Sequence, residues 1–216
     1  MKNKRLMGII GLIAAAVIGT AIYSATAGKD NKAASSNEKA KVGVLQLVSH
    51  PSLDLIYKGI QDGLAEEGYD KDKVDIDFLN AEGDQNKVAT MSKQLVDKDN
   101  QVLIGIATPS AQGLASATKD KPIVMGAVTD PVGANLVKDL KKPGGNITGV
   151  SDHNPTEQQL KLIKELTPNV KTIGVLYSTS EDNSKTQVEE FTKLAEKAGY
   201  KVFLIQSLLQ MKLLQR

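Results

Sequence analysis

Residues 41–54 read Lys-Val-Gly-Val-Leu-Gln-Leu-Val-Ser-His-Pro-Ser-Leu-Asp, and the fold class follows from how that stretch divides. Its first eight residues form a short apolar run, suited to a strand covered on both faces. Ser49-His50-Pro51-Ser52 then supplies cap-type residues and a proline for a helix start. Leu53, Ile56, Tyr57, Ile60 and Leu64 follow at helical spacing, and Gly68 supplies the stop. A strand leading into a helix is a βα unit, and the unit recurs. Val74, Ile76 and Phe78 alternate with Asp75, Asp77 and Leu79, the pattern of a strand near a sheet edge. Asp84 can cap a helix whose face is Val88, Met91 and Leu95. Residues 102–107 (VLIGIA) form another covered strand, followed by Thr108-Pro109-Ser110 and a small-residue helix over 110–118. A fourth strand over 123–127 ends at Val128-Thr129-Asp130-Pro131.

Such alternation predicts an α/β fold in which parallel strands are joined by right-handed crossovers and flanked by helices. Ligands bind such sheets just beyond the carboxyl ends of the strands. The polar clusters 49–52, 108–110 and 129–130 fall there. Residues 141–146 (KKPGGN) are a turn-rich break, and 147–150 a short strand leading to Ser151-Asp152-His153-Asn154-Pro155. A second βα series follows: Thr156 opens a helix with Leu160, Ile163 and Leu166 on one face, and 172–177 (TIGVLY) is a strand. Val188, Phe191, Leu194 and Ala195 mark the next helix, Gly199 ends it, and 202–205 is a strand. The expected organisation is a first lobe over 42–150, a hinge crossover at 151–155 and a partial second lobe over 156–206, with a ligand cleft between the strand ends. Two strands and two helices make an incomplete lobe, expected to leave Ile163, Leu166, Val175 and Phe191 uncovered. Residues 207–216 (SLLQMKLLQR) add an atypical tail, as in a truncated or frameshifted chain.

Upstream, Lys2, Lys4 and Arg5 precede an uncharged apolar run, 6–27, that closes on Ala25-Thr26-Ala27. Residues 1–27 therefore read as an export signal or as a retained membrane anchor. Either delivers the rest of the chain outside the membrane. Residues 28–41 are small, polar and charged, a flexible linker. The chain has 27 Lys+Arg against 25 Asp+Glu. Three of the basic residues precede Leu6, so from Gly28 on the balance is −1, which gives no basic surface for nucleic acid. With no cysteine, disulfides, thiolate catalysis, Cys-based zinc sites and a lipidated cysteine are excluded.

The segments Gly43-Val44-Leu45-Gln46, His50-Pro51-Ser52-Leu53-Asp54, Ala107-Thr108-Pro109-Ser110-Ala111-Gln112 and Thr129-Asp130-Pro131 resemble, in order and spacing, the ABC-importer substrate-binding proteins of the tryptophan/tyrosine type. So do residues 143–152 (PGGNITGVSD) and 173–178 (IGVLYS). The resemblance spans about residues 42–206. It implies a type I periplasmic-binding-protein fold of two lobes and a hinge, monomeric when complete. It further implies an extracytoplasmic ligand, an amino acid and preferably an aromatic one, passed to a membrane ABC permease, with no cofactor. Family members have a complete second lobe and a return crossover, which this sequence lacks.

A free amino acid needs donors for its carboxylate, an acceptor for its ammonium and a surface for its side chain. Helix N-termini supply donors through their unpaired N–H groups and positive dipole end. Thr108, Ser110 and the N–H groups of Ala111 and Gln112 fit that role, and simple helix capping explains the same residues. Ser49, Thr129, Ser151 and Ser178 offer further polar groups at strand ends. Asp130 and Asp152 are the candidate ammonium acceptors, although a turn before Pro131 and a helix cap explain them as well. Tyr177 is the leading aromatic contact, with packing as the alternative, whereas Tyr57 reads as core. His50 and His153 stand far apart in loops, a poor metal site. Ser49, His50 and Asp54 invite a triad reading, but adjacency in sequence does not give triad geometry, and no G-x-S-x-G elbow is present. No G-x-G-x-x-G follows the first strand. A solute-binding component is thus expected rather than an enzyme. The alternatives are a two-lobe sensor presenting its ligand to a membrane receptor, or a sugar-type regulator, which would need a helix-turn-helix in place of the export segment.

Overall fold

The computed structural model describes residues 39–207. The signal or anchor over 1–27, most of the linker and residues 208–216 of the tail lie outside these. The described residues form two compact units, one ending at Ser151 and one beginning at Asp152.

The first unit is a five-stranded, all-parallel sheet in the order β2-β1-β3-β4-β5. Its strands are β1 (Ala40–Gln46), β2 (Val74–Asn80), β3 (Val102–Ile106), β4 (Ile123–Val128) and β5 (Ile147–Ser151). The connecting helices are α1 (Pro51–Glu66), α2 (Gln85–Asp97) and α3 (Thr108–Ala117). Because successive side chains on a strand point to opposite faces, each strand feeds two cores. Val42, Val44, Val102, Ile104, Ile106 and Val124 pack with Ile60 and Leu64 of α1. Leu45, Leu103, Ile123 and Met125 pack with Val88 and Leu95 of α2 and Ala111 and Leu114 of α3. The predicted starts of α1 and α2 hold: His50 caps the first, and Asp84 Oδ1 accepts from the N–H of Asn86 at 2.7 Å in the second. β2 is an edge strand, as its alternation implies, and Tyr57 stacks on its Phe78 with ring centroids 4.3 Å apart.

Two details differ from the sequence reading. β1 begins inside the segment taken as linker: Ala40 is buried, and its N–H donates to the Lys73 carbonyl at 2.8 Å. α3 starts at Thr108 rather than Ser110. The crossover from β4 to β5 runs through turns, in keeping with the turn-rich break read there. It still covers the sheet, because Ala134, Leu136 and Val137 are buried in the same core as Leu103 and Met125.

The second unit has α4 (Thr156–Leu166), β6 (Thr172–Ser178), α5 (Asp182–Lys197) and β7 (Lys201–Ser207), with β6 and β7 paired in parallel. Ser207, read as the start of the tail, ends β7. Leu160, Val188 and Ala195 are its buried apolar residues among those described. The bare residues are not the ones expected. Ile163, Val175 and Phe191 are half-buried and only Leu166 of the four is exposed, because α5 covers the face of β6 that carries Val175. The exposed apolar set is Leu162, Leu166, Leu176, Phe203, Leu204 and Ile205.

Candidate ligand-binding site

In the first sheet β2 lies on one side of β1 and β3 on the other, so the chain reverses its direction of travel between β1 and β3. The crevice at the carboxyl ends of two such strands is where open α/β sheets bind ligands. Residues 47–50 leave β1 there, and residues 107–110 leave β3.

At the β1 exit, Ser49 is exposed and its Oγ accepts from Asn80 Nδ2 at 2.8 Å, joining the ends of β1 and β2. His50 Nδ1 accepts from the Ser52 N–H at 3.3 Å, and Pro51 fills the first turn of α1. Asp54 Oδ1 accepts from Gln46 Nε2 at 2.7 Å. The side chains of Ser49, His50 and Asp54 are thus each bonded to a different group and none to another of the three, which removes the geometric basis for a triad.

At the β3 exit, Ala107 precedes α3 with φ 75° and ψ 158°, a conformation that is essentially glycine's. Its N–H donates to the Gly126 carbonyl of β4 at 3.1 Å. The turn brings α3 hard against β3, where a Cβ on Gly105 would lie 2.7 Å from the Ala111 backbone. Thr108, Ser110 and Ala111 are buried. Two expectations change here. No side chain caps α3, so Thr108 and Ser110 are not present as caps. The Ala111 N–H donates to the Ala107 carbonyl at 3.2 Å, so it is not a free donor. The N–H groups ahead of that first helical bond belong to Thr108 and Ser110, since Pro109 has none. Ser110 Oγ is buried with no hydrogen-bond partner among the described residues. Gln112 turns its side chain aside, Nε2 donating to the Ala134 carbonyl at 3.3 Å.

The ends of β4 and β5 bring Thr129, Asp130 and Ser151 together. Ser151 Oγ donates to the Thr129 carbonyl at 3.1 Å. Asp130 Oδ1 accepts from the Gly133 N–H at 2.9 Å, so this carboxylate sets a turn. Asp152 is exposed, and α4 starts at Thr156 after Pro155 without a side-chain cap, so the capping explanation of Asp152 fails.

In the second unit, Tyr177 Oη accepts from Gln206 Nε2 at 3.1 Å, and Ser178 Oγ lies 2.9 Å from Ser180 Oγ. Tyr177 lines a hollow of about 270 Å³ with Thr156, Gln159 and Phe191. Asn154 Nδ2 donates to Gln187 Oε1 at 3.0 Å on the same wall. Glu181 stands at the N-cap of α5 without making a capping bond, and burial pushes its carboxyl above the usual range. A carboxyl raised in the folded state weakens folding as pH climbs through its ordinary value toward the raised one. Glu181→Gln is therefore expected to raise the melting temperature at pH 7. The gain should disappear in acid, where both side chains are neutral, and melting curves at pH 7 and pH 4 check this.

What the first unit can do chemically follows from the start of α3. Unpaired first-turn N–H groups, the positive end of the helix dipole and a hydroxyl with no internal partner suit a carboxylate. Ala107, Gln46 and Asn80 were missed in the sequence. Nothing marks an alanine as holding a positive φ, and Gln46 and Asn80 stand within apolar strand patterns.

Comparison with known proteins bears on the family of the chain. The ABC transporter substrate binding protein family profile matches residues 41–213, including most of the segment set apart as a tail. A tyrosine-binding protein of Clostridioides difficile (strain R20291) is 44% identical over 210 residues, covering 94% of this chain and 60% of that protein. A Streptococcus pneumonia ABC domain in complex with L-Trp is 75% identical with a TM-score of 0.77, over 79% of this chain and 58% of that one. The ligand-free, open structure of a Clostridium difficile substrate-binding protein with adhesive properties is 43% identical, with a TM-score of 0.62, over 78% and 57% of the two chains. The chain thus spans about 60% of the length of the curated relative it matches. The family is one of solute-binding proteins, and the two-lobe, type I periplasmic-binding-protein-like α/β fold is theirs too. By its profile match and its relatives, this chain belongs to the ABC transporter substrate-binding protein family.

Proposed function

We propose that this chain is the solute-binding component of an ABC importer and takes an aromatic amino acid, tryptophan or tyrosine, outside the membrane. The observation that carries the reading is the 75% identity to a chain in complex with L-Trp. The first unit adds a physical reason: the N–H groups of Thr108 and Ser110 open a helix at the switch point, where a carboxylate is best received. Tyr177 in the second unit supplies an aromatic surface. The partner is a membrane permease, and residues 1–27 export or tether the chain. It acts as a monomer when the second lobe is complete.

The test is thermal denaturation of the full chain with each of the twenty amino acids. L-Trp or L-Tyr at one hundred times its Kd should stabilise by about 2.7 kcal/mol, and the other amino acids by far less. Uniform absence of stabilisation overturns the reading. Ser110→Ala sharpens it. Its hydroxyl has no internal partner, so the free chain should melt at or above the parent temperature. The complex should lose a donor to an anion, weakening binding by about tenfold.

A further inference from the structure

Gln46 is the one polar side chain facing inward on β1, where Val42, Val44 and Leu45 are fully buried, and it is itself 0% exposed. Its amide orientation is fixed by two acceptors. Nε2 donates to the Val48 carbonyl at 3.0 Å and to Asp54 Oδ1 at 2.7 Å. Oε1 has no partner among the described residues. A buried acceptor left unpaired is unfavourable, and leucine or methionine would fill the space without it. What glutamine adds over an apolar residue is the pair of bonds from Nε2. Those bonds join the loop leaving β1 to the first turn of α1, across the switch point. Between the two anchors lie Ser49, bonded to Asn80 of β2, and His50, which caps α1.

We propose that Gln46 is a positioning residue for the ligand site, holding the loop 47–50 in its receptive shape by tying Val48 to Asp54. The role rests on the amino-acid-binding reading above, because that reading makes this loop one wall of the site. The side chain acts from beneath the loop and does not touch ligand. Its effect on binding is preorganisation: a loop already ordered loses less freedom when the ligand arrives.

Two variants of the full chain test it. Gln46→Leu keeps the volume and removes both bonds, and Gln46→Glu keeps the shape but faces Val48 O and Asp54 with a second acceptor. Hydrogen exchange without ligand reads the loop directly: amides of residues 47–54 should exchange at least tenfold faster in both variants, with β3 and β4 unchanged. Titration with L-Trp and L-Tyr should show affinity reduced about tenfold in Gln46→Leu at a melting temperature equal to or above the parent. Gln46→Glu should regain part of its affinity near pH 4, where its protonated carboxyl can donate. Unchanged exchange over 47–54 overturns the proposal, as does a loss of protection spread through β1, β3 and β4, which would make Gln46 a packing residue only. If the parent binds neither amino acid, the functional reading fails, while the exchange experiment still decides whether Gln46 orders the loop.

Discussion

Gly149→Ala is expected to unfold the first unit at temperatures where the parent chain is intact. Gly149 lies in β5 at φ +148°, and a Cβ there would sit 2.3 Å from the Met125 carbonyl oxygen, 2.4 Å from its nitrogen and 2.7 Å from its Cα. Met125 is the partner of Gly149 in the β4–β5 register. All three clashing atoms are backbone, so no side-chain rotation relieves them, and the strands must separate or the φ must change. Either disturbs the core shared by Met125 and Ile147. Overpacking of that kind combined with a disfavoured φ costs on the order of 3 kcal/mol, or roughly 10 °C of melting temperature in a domain of this size. Gly145→Ala is the control, since a Cβ there meets nothing within 4 Å. Circular dichroism melts of the two variants should differ by nearly the whole effect. Equal melting temperatures would show that β5 does not depend on this close approach.

That glycine also shows where sequence reading stops. The strand over residues 147–150 was legible from its apolar run and the KKPGGN break before it. The reason Gly149 must be glycine lies in Met125, a contact between strands that no local pattern records. The same division runs through the fold. Short apolar runs marked β1 and β3, and caps followed by 3.6-residue periodicity marked α1 and α2, because a covered strand and an amphipathic helix each leave a one-dimensional trace. The β4–β5 crossover left none: Ala134, Leu136 and Val137 are buried without forming a helix, so there was no period to read.

The candidate site was legible as a set of strand-end residues more than by the role of each. Strand-end polar residues in a parallel sheet fall at the ligand edge by topology, and Ser49, Thr108, Ser110, Thr129 and Ser151 all lie there in the first unit. Their hydrogen-bond assignments were not recoverable. Asp130 is directed to Gly133 and Ser151 to Thr129, and Ala111 gives its N–H to Ala107 because α3 begins two residues earlier than its pattern suggests. Capping residues and ligand contacts share the same amino acids, so composition cannot separate them. In the second unit periodicity showed which residues share a face, but not which of the two faces of β6 the next helix covers.

The second unit is expected to open before the first by a wide margin. Its buried apolar residues among those described are Leu160, Val188 and Ala195, whereas every residue of β3 is buried. Leu166, Leu176, Phe203 and Ile205 are 72%, 66%, 62% and 54% exposed. The side chains that would lend stability by burial are thus largely in water, where they contribute little of the ~25 cal/mol per Å² that burial supplies. Among the described residues β6 and β7 pair only with each other, and a two-stranded sheet with one bare face is marginal. Local opening free energies follow such differences in buried contact. In native-state hydrogen exchange of the full chain, amides of β6 and β7 should exchange at least a hundredfold faster than those of β3 and β4, a gap of about 2.7 kcal/mol. Gly149→Ala should narrow that gap by loosening the first unit. Parent protection as high in β6 as in β3 would overturn the expectation and show the bare face to be covered in solution. The outcome bears on the proposed function: if Tyr177 contacts ligand as proposed, a unit that opens this readily holds that aromatic surface in place only part of the time, and affinity falls by the fraction of chains in which it is formed.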